Sequence, residues 1–339
     1  VAYWLSTERE PGGKEIVMKI REARLVEPRR FEICERDLQP APGEALLEIV
    51  ACGYCMTDFH KYEGDDPDLV LPYVLGHEAS AIVVETNPAD AEFRPGDRVA
   101  GAFEFAFATH AAAPFGSLVR VPEGVPMEHA LGEPLACVTN ISRAATPELG
   151  DHVVLIGCGA MGLMLLTCLA RSPAATVMAV DVLPERLALA RELGATHLIN
   201  PKECDAAAVI MDTTGGRGAD VIVEFTGRPA GFELAAAIVR YGRAKVLVPG
   251  SHVQPAQYNL WPLMLKGAEM AFAHPAYSLD FMEDMRRGLA GVGRGLFGLD
   301  RILTHRFTLE NVTEGFEMAR TGADGYVKGL LIPGEPPAG

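Results

Sequence analysis

Between Ala51 and His60 the chain reads ACGYCMTDFH, which gathers two cysteines, a threonine, an aspartate and a histidine into one short stretch. Thiolates and imidazoles are common zinc ligands, while threonine, aspartate and histidine can carry or orient protons. Two cysteines separated by two residues also invite a zinc ribbon or a redox pair. A ribbon needs a second such pair, and the sequence has none. The context of a thioredoxin-like pair is missing as well. What remains is a dense group of possible ligands and proton carriers. A second group follows at Gly76-His77-Glu78, where an apolar strand from Ala79 to Val84 begins.

The other chemistry lies between Val153 and Asp181. An apolar run leads into Gly157-Cys158-Gly159-Ala160-Met161-Gly162, a long apolar helical segment follows, and a second apolar run ends on Asp181. This is the order of a dinucleotide-binding βαβ unit. Gly157 permits the tight turn, Gly159 lets the backbone approach a pyrophosphate, and Gly162 lets the helix pack close to the strand. The helix N-terminus, with Ala160 and Met161 in its first turn, offers free N–H groups and a positive dipole end to phosphates. A carboxylate at Asp181 can accept both ribose hydroxyls and would repel a 2′-phosphate, so NAD is expected over NADP. Arg186 is near enough to complicate that preference.

The elements that must position these groups are of two kinds. Up to about residue 144 the chain reads as short strands with turn signals at Pro11-Gly12-Gly13 and Pro40-Ala41-Pro42-Gly43. The alternating Phe103, Phe105 and Phe107 read as a strand. From Val153 onward, apolar strands alternate with helices: PERLALARELGA is amphipathic and closed by Gly194, and Val221 to Phe225 reads as a buried parallel strand. This alternation predicts an α/β fold with a doubly wound parallel sheet beside a β-rich domain. The tail PGEPPAG is expected to be unstructured.

Composition bounds the partners. A length of 339 residues suits two domains, and a net charge of −15 argues against nucleic acid or an anionic membrane. No apolar run approaches the roughly 20 residues that span a bilayer. The opening VAYWLSTERE shows no secretory pattern, and the seven scattered cysteines suggest a reducing compartment, hence a cytoplasmic location.

The segment CGYCMTDFH, Gly76-His77-Glu78, Pro95-Gly96-Asp97-Arg98-Val99 and the glycine motif occur in the order of the zinc-dependent medium-chain dehydrogenases. The chain resembles that family, which includes alcohol, sorbitol and threonine dehydrogenases, over essentially its whole length. The resemblance implies a GroES-like catalytic domain over 1–144, a Rossmann domain over 145–285, and a return to the catalytic domain over 286–339. It implies that Cys55 and His77 bind a catalytic zinc, with Glu78 ligating or sitting just outside. Leu131-Gly132-Glu133-Pro134 is similar to a polyol dehydrogenase motif, which makes Glu133 the third ligand and Cys137 its rival. Thr57 and His60 would pass the released proton to solvent, and Asp58 would orient His77. Thr226 and Gly227 would lie under the cofactor, and Pro249 and Gly250 near the nicotinamide.

Family members often carry a four-cysteine lobe holding a structural zinc. This chain has no cysteine between Cys55 and Cys137, so one catalytic zinc per chain and no structural zinc is expected. The implied reaction is hydride transfer between NAD and a secondary alcohol or polyol-like hydroxyl, in a homodimer or homotetramer. The rivals are a zinc-free reductase of activated double bonds and a non-catalytic binding protein on the same fold. The Cys55, His77 and Glu133 set argues against the first, and Cys55 with His77 against the second.

Overall fold

The computed structural model describes residues 17–86 and 92–334. The turn expected at Pro11–Gly13 and most of the C-terminal tail lie outside them. The chain forms two units: Val1–Glu133 with His305–Gly339, and Pro134–Thr304.

The first unit opens with β1 (Met18–Glu27), β2 (Arg30–Leu38) and β3 (Glu44–Gly53), then α1 (Met56–Glu63), β4 (Tyr73–Val74), β5 (Glu78–Thr86), β6 (Arg98–Ala102), β7 (His110–Pro114) and β8 (Leu118–Arg120). Next come α2 (Gly132–Ala145), β9 (His152–Ile156), α3 (Ala160–Leu169), β10 (Thr176–Val180), α4 (Pro184–Glu192), β11 (His197–Ile199), α5 (Ala206–Thr213), β12 (Val221–Glu224), α6 (Pro229–Ile238), β13 (Lys245–Leu247), α7 (Trp261–Lys266), β14 (Glu269–Ala271), α8 (Phe281–Gly293) and α9 (Leu299–Ile302). The chain then returns through β15 (Leu303–Phe307), α10 (Val312–Thr321) and β16 (Lys328–Leu331).

The second unit is built on a parallel six-stranded sheet in the order β11-β10-β9-β12-β13-β14. Its central strands are apolar without alternation because both faces are covered: Val153 to Ile156 and Val221 to Glu224 are all buried. Strand order reverses at β9, so the carboxyl ends of β9, β10, β12 and β13 border the position where such sheets hold ligands. The first unit is strand-rich. A seven-stranded sheet runs β15-β16-β3-β5-β6-β8 with β7 also on β3, and β2-β1-β4 form a smaller one. An aromatic cluster fills the core around Tyr54: its ring lies 5.0 Å from Phe316 and 5.1 Å from Phe107, and Tyr62 stacks on Phe316 at 4.5 Å.

Two expectations need revision. The alternating phenylalanines are not a strand. Phe103 and Phe107 are buried, but Phe105 is exposed with φ of 68°, a left-handed backbone that breaks strand geometry. The units divide at residue 133/134 and 304/305, whereas the sequence reading placed the breaks at 144 and 285. The reason is packing within the second unit. Gly288 of α8 sits so close to Leu135 of α2 that a Cβ there would clash, and Arg143 pairs with the buried Asp284 at 2.5 Å. Helices α2 and α8 therefore belong with the parallel sheet.

Candidate active site

In the first unit, Cys55 stands at the N-cap of α1, directly after β3. Its backbone is held through Tyr54. The Tyr54 N–H donates to Gly329 O at 3.1 Å, its hydroxyl donates to Val312 O at 3.2 Å, and its carbonyl accepts from Lys328 Nζ at 3.0 Å. His77 and Glu78 arrive on the neighbouring strand, where Glu78 lies opposite Gly53 in the β3–β5 register. That register explains the glycine in Cys-Gly-Tyr-Cys: a Cβ on Gly53 would collide with the Glu78 carboxylate. Gly76 has φ of 95°, and a side chain there would strike Phe107.

One ligand atom each from Cys55, His77 and Glu78 falls within a 4.8 Å group. Tetrahedral zinc ligands lie about 3.3–3.8 Å apart, given bonds of about 2.0–2.3 Å, so this sulfur, nitrogen and oxygen set suits zinc with little movement. Behind His77 lies Asp58, fully buried, with Oδ1 3.3 Å from His77 Nδ1 and accepting the Gly76 N–H at 3.2 Å. With Nδ1 facing Asp58, Nε2 is the nitrogen that would be left to bind a metal. Burial opposes charge on both partners, yet each holds the other charged. The Asp58 carboxyl is brought below its ordinary range by His77, and the His77 imidazole is held well above its own by Asp58 and Cys55. Burial and the Glu78 carboxylate push the Cys55 thiol up against the pull of His77, and Glu133 adds to the push. A field that favours a proton on His77 also favours a cation among these donors.

Glu78 has a partner that the sequence reading missed. Lys328 Nζ, from β16, lies 2.6 Å from Glu78 Oε2, and both side chains are buried. Burial works against the Lys328 charge, but Glu78 and Cys55 outweigh it and raise its pKa. Glu133 is in the first turn of α2, outside the tight trio, and acts on Cys55 through its charge. Cys52 belongs to the hydrophobic core. Thr57 is exposed in the first turn of α1, and His60, one turn on, has Nδ1 3.6 Å from the Asp65 carboxylate.

Asp58→Asn should keep the fold and weaken zinc binding about 10- to 100-fold, because the amide holds His77 without supplying charge. A competition titration with a chelator measures this, and an unchanged zinc affinity would remove Asp58 from the site.

In the second unit, Gly157 has φ of 99° and packs against Thr226, and a Cβ on Gly162 would strike the Gly157 carbonyl. Gly159, the N-cap of α3, differs: a Cβ there would meet nothing within 4 Å. The glycine thus leaves open space at the N–H groups of Ala160 and Met161. Asp181 follows β10, accepting the Cys158 N–H at 2.7 Å and the Leu183 N–H at 2.9 Å. Arg186, on α4, is near enough to oppose the upward effect of Asp181 on the buried Cys158 thiol. Thr226, Gly227, Pro249 and Gly250 lie in the loops after β12 and β13.

This arrangement agrees with known proteins. Residues 41–123 match the alcohol dehydrogenase GroES-like domain, and residues 160–286 match the zinc-binding dehydrogenase domain. An erythritol/L-threitol dehydrogenase of Mycolicibacterium smegmatis is 30% identical over 365 aligned positions, covering 87% of this chain and 92% of the relative. The chain belongs to the zinc-dependent medium-chain alcohol dehydrogenase family. Another relative of this family, an L-threonine 3-dehydrogenase of Pyrococcus abyssi, is 29% identical over 88% of this chain and 95% of its own length. A solved structure from Sinorhizobium meliloti 1021, bound to NADP, has the same fold. Its TM-score is 0.81 at 24% identity, covering 93% of this chain and 100% of that one. As a family member the chain is a zinc-type dehydrogenase acting on a CH–OH group with a nicotinamide cofactor. Among the described residues, no helix is long and apolar enough to cross a membrane.

Proposed function

We propose that this dehydrogenase oxidises a secondary alcohol or polyol-like hydroxyl to a ketone, reversibly, with NAD and one catalytic zinc per chain. The observation that carries the proposal is the Cys55, His77 and Glu78 group backed by buried Asp58. When bound, zinc lowers the pKa of an alcohol and nicotinamide accepts the hydride. The protein's part is positional. Cys55 and His77 would hold the metal, with Asp58 fixing the ring of His77. Glu78, tied to Lys328, would ligate the metal or sit just outside its shell, and Glu133 contributes negative charge. Thr57 and His60 share one face of α1, spaced as neighbours on a helix, and lead toward the exposed Asp65; this supports them as the route by which the alcohol proton leaves. Asp181 favours NAD by facing the ribose, although the NADP-bound neighbour and nearby Arg186 make that choice the one to measure. Relatives named for L-threonine and for erythritol and L-threitol support a hydroxyl-bearing substrate.

Elemental analysis after gentle dialysis tests the metal assignment. About one zinc per chain is expected, with turnover of polyols or secondary alcohols and NAD. A folded, never-chelated sample without zinc would overturn it in favour of the double-bond reductase. The free state of all seven cysteines supports a reducing, cytoplasmic setting.

We further read the protein as a homo-oligomer. Among the described residues, strand β14 ends the parallel sheet and pairs with β13 alone, while Trp261, Met264, Leu265, Met270 and Phe272 nearby in sequence are exposed. A bare sheet edge with large apolar side chains calls for a cover, and a second copy supplies a matching one. Analytical ultracentrifugation should show a dimer or tetramer, and Phe272→Lys should shift it toward monomer. A wild-type monomer at micromolar concentration would refute the assignment.

A further inference from the structure

Glu224 closes β12 and is completely buried, yet it is no part of the glycine motif or the zinc group. Its carboxylate oxygens face loops. One accepts the Thr226 N–H at 2.7 Å and the Thr226 hydroxyl; the other faces His252 Nε2 at 2.9 Å and the Gly227 N–H at 3.4 Å. Its backbone carbonyl accepts the Gly250 N–H at 3.1 Å. Because a carboxylate oxygen accepts, His252 Nε2 carries a proton, and Nδ1 pairs with the Tyr258 hydroxyl at 2.7 Å. Tyr258 in turn packs edge-on against Phe232 of α6, with ring centroids 4.9 Å apart. The neighbourhood is built around this carboxylate: a Cβ on Gly231 would strike Glu224 and Thr226, and one on Gly227 would strike Ser251.

Two loops meet at this group, the one after β12 and the one after β13. Both leave the carboxyl ends of strands on the opposite side of β9 from Asp181. Asp181 and the glycine loop serve the adenosine and pyrophosphate, so these two loops face the nicotinamide half. A buried carboxylate costs several kcal/mol unless hydrogen-bonded. Here the donors that offset the cost come from the loops themselves, so the loops keep one conformation or leave a buried charge unsatisfied.

We propose that Glu224, His252 and Tyr258 are positioning residues that clamp these two loops and so pre-form the nicotinamide half of the coenzyme site. The proposal rests on the dinucleotide reading above and adds residues to it. Thr226, held by Glu224, packs against Gly157 of the pyrophosphate loop, whereas the hydrogen bonds of His252 run to Glu224 and Tyr258 and to neither that loop nor Asp181. Loss of His252 therefore weakens whole coenzyme while sparing a fragment that lacks nicotinamide.

The test is calorimetric binding of NADH and of ADP-ribose to the full-length zinc-loaded enzyme. His252→Ala should raise the Kd of NADH about 10-fold, as expected for losing a hydrogen bond to a charged group, and leave that of ADP-ribose within twofold. His252→Gln restores an N–H donor at the Nε2 position and should recover most of the loss. Tyr258→Phe should give a smaller effect of the same kind, with unchanged far-ultraviolet circular dichroism. Equal weakening of both ligands would mean a general structural role and overturn the proposal. So would an NADH Kd unchanged in His252→Ala, or no recovery in His252→Gln. Wild-type enzyme that binds neither ligand would overturn the dinucleotide reading itself, and the clamp with it.

Discussion

Cys55→Ser should lower turnover by about 10³-fold or more, with zinc content per chain falling in parallel, while NADH binding stays close to that of the wild type. The expectation follows from where Cys55 sits. It is anchored at the head of α1 by three hydrogen bonds through Tyr54, in the first unit, whereas the coenzyme groups are on the parallel sheet of the second. Serine is close in shape but binds zinc poorly, since thiolate is the softer and more acidic ligand. Without the metal, nothing in the group lowers the pKa of an alcohol from its value in water. Zinc content, steady-state rate and NADH fluorescence titration on one preparation decide it. Equal loss of turnover and NADH binding would sink the ligand assignment, since a ligand to the metal has no reason to hold the coenzyme.

Asp181→Ala should weaken NAD binding about 10- to 100-fold, the loss expected for hydrogen bonds to a charged group, and change NADP binding far less. Asp181 already accepts N–H bonds from Cys158 and Leu183, which fix the carboxylate at the end of β10. Each oxygen keeps a further lone pair for a ribose hydroxyl. Removing it also leaves Arg186 on α4 without an opposing charge from that position, which favours a 2′-phosphate. The ratio of kcat/KM for the two coenzymes is the measurement. An unchanged ratio would mean that Asp181 does not set the choice.

Much of this was legible from residue types. Gly157, Gly159, Gly162 and Asp181 fall where a strand, a helix and a strand must be, and their spacing states their geometry. Cys55, His77 and Glu78 were legible because ligand types cluster beside strand ends. The groups that complete both sites were not. Lys328 lies 274 residues after Tyr54, and a lone lysine before an apolar strand reads as a solvated charge until the register of β16 on β3 is known. Glu224 reads as the polar end of a buried strand, and His252 and Tyr258 as loop residues without periodicity. Their roles come from two crossovers that bring loop ends together. The Phe103–Phe107 reading failed for a local reason: the backbone at Phe105 turned left-handed and put that ring on the surface while Phe103 and Phe107 stayed buried.

The pairing of Lys328 with Glu78 also has a consequence for biosynthesis. Cys55, His77 and Glu78 leave the ribosome early, but the lysine that pairs with Glu78 is in β16, the last of the described strands. Until that strand docks, a carboxylate destined for the interior has no counter-ion, and Tyr54 lacks two of its three anchors. The pocket therefore gains this buried counter-ion only once β16 has docked. Ribosome-bound chains stalled before Lys328 should retain zinc less well than chains extended past β16, and equal retention would show that the pairing is not needed to hold the metal.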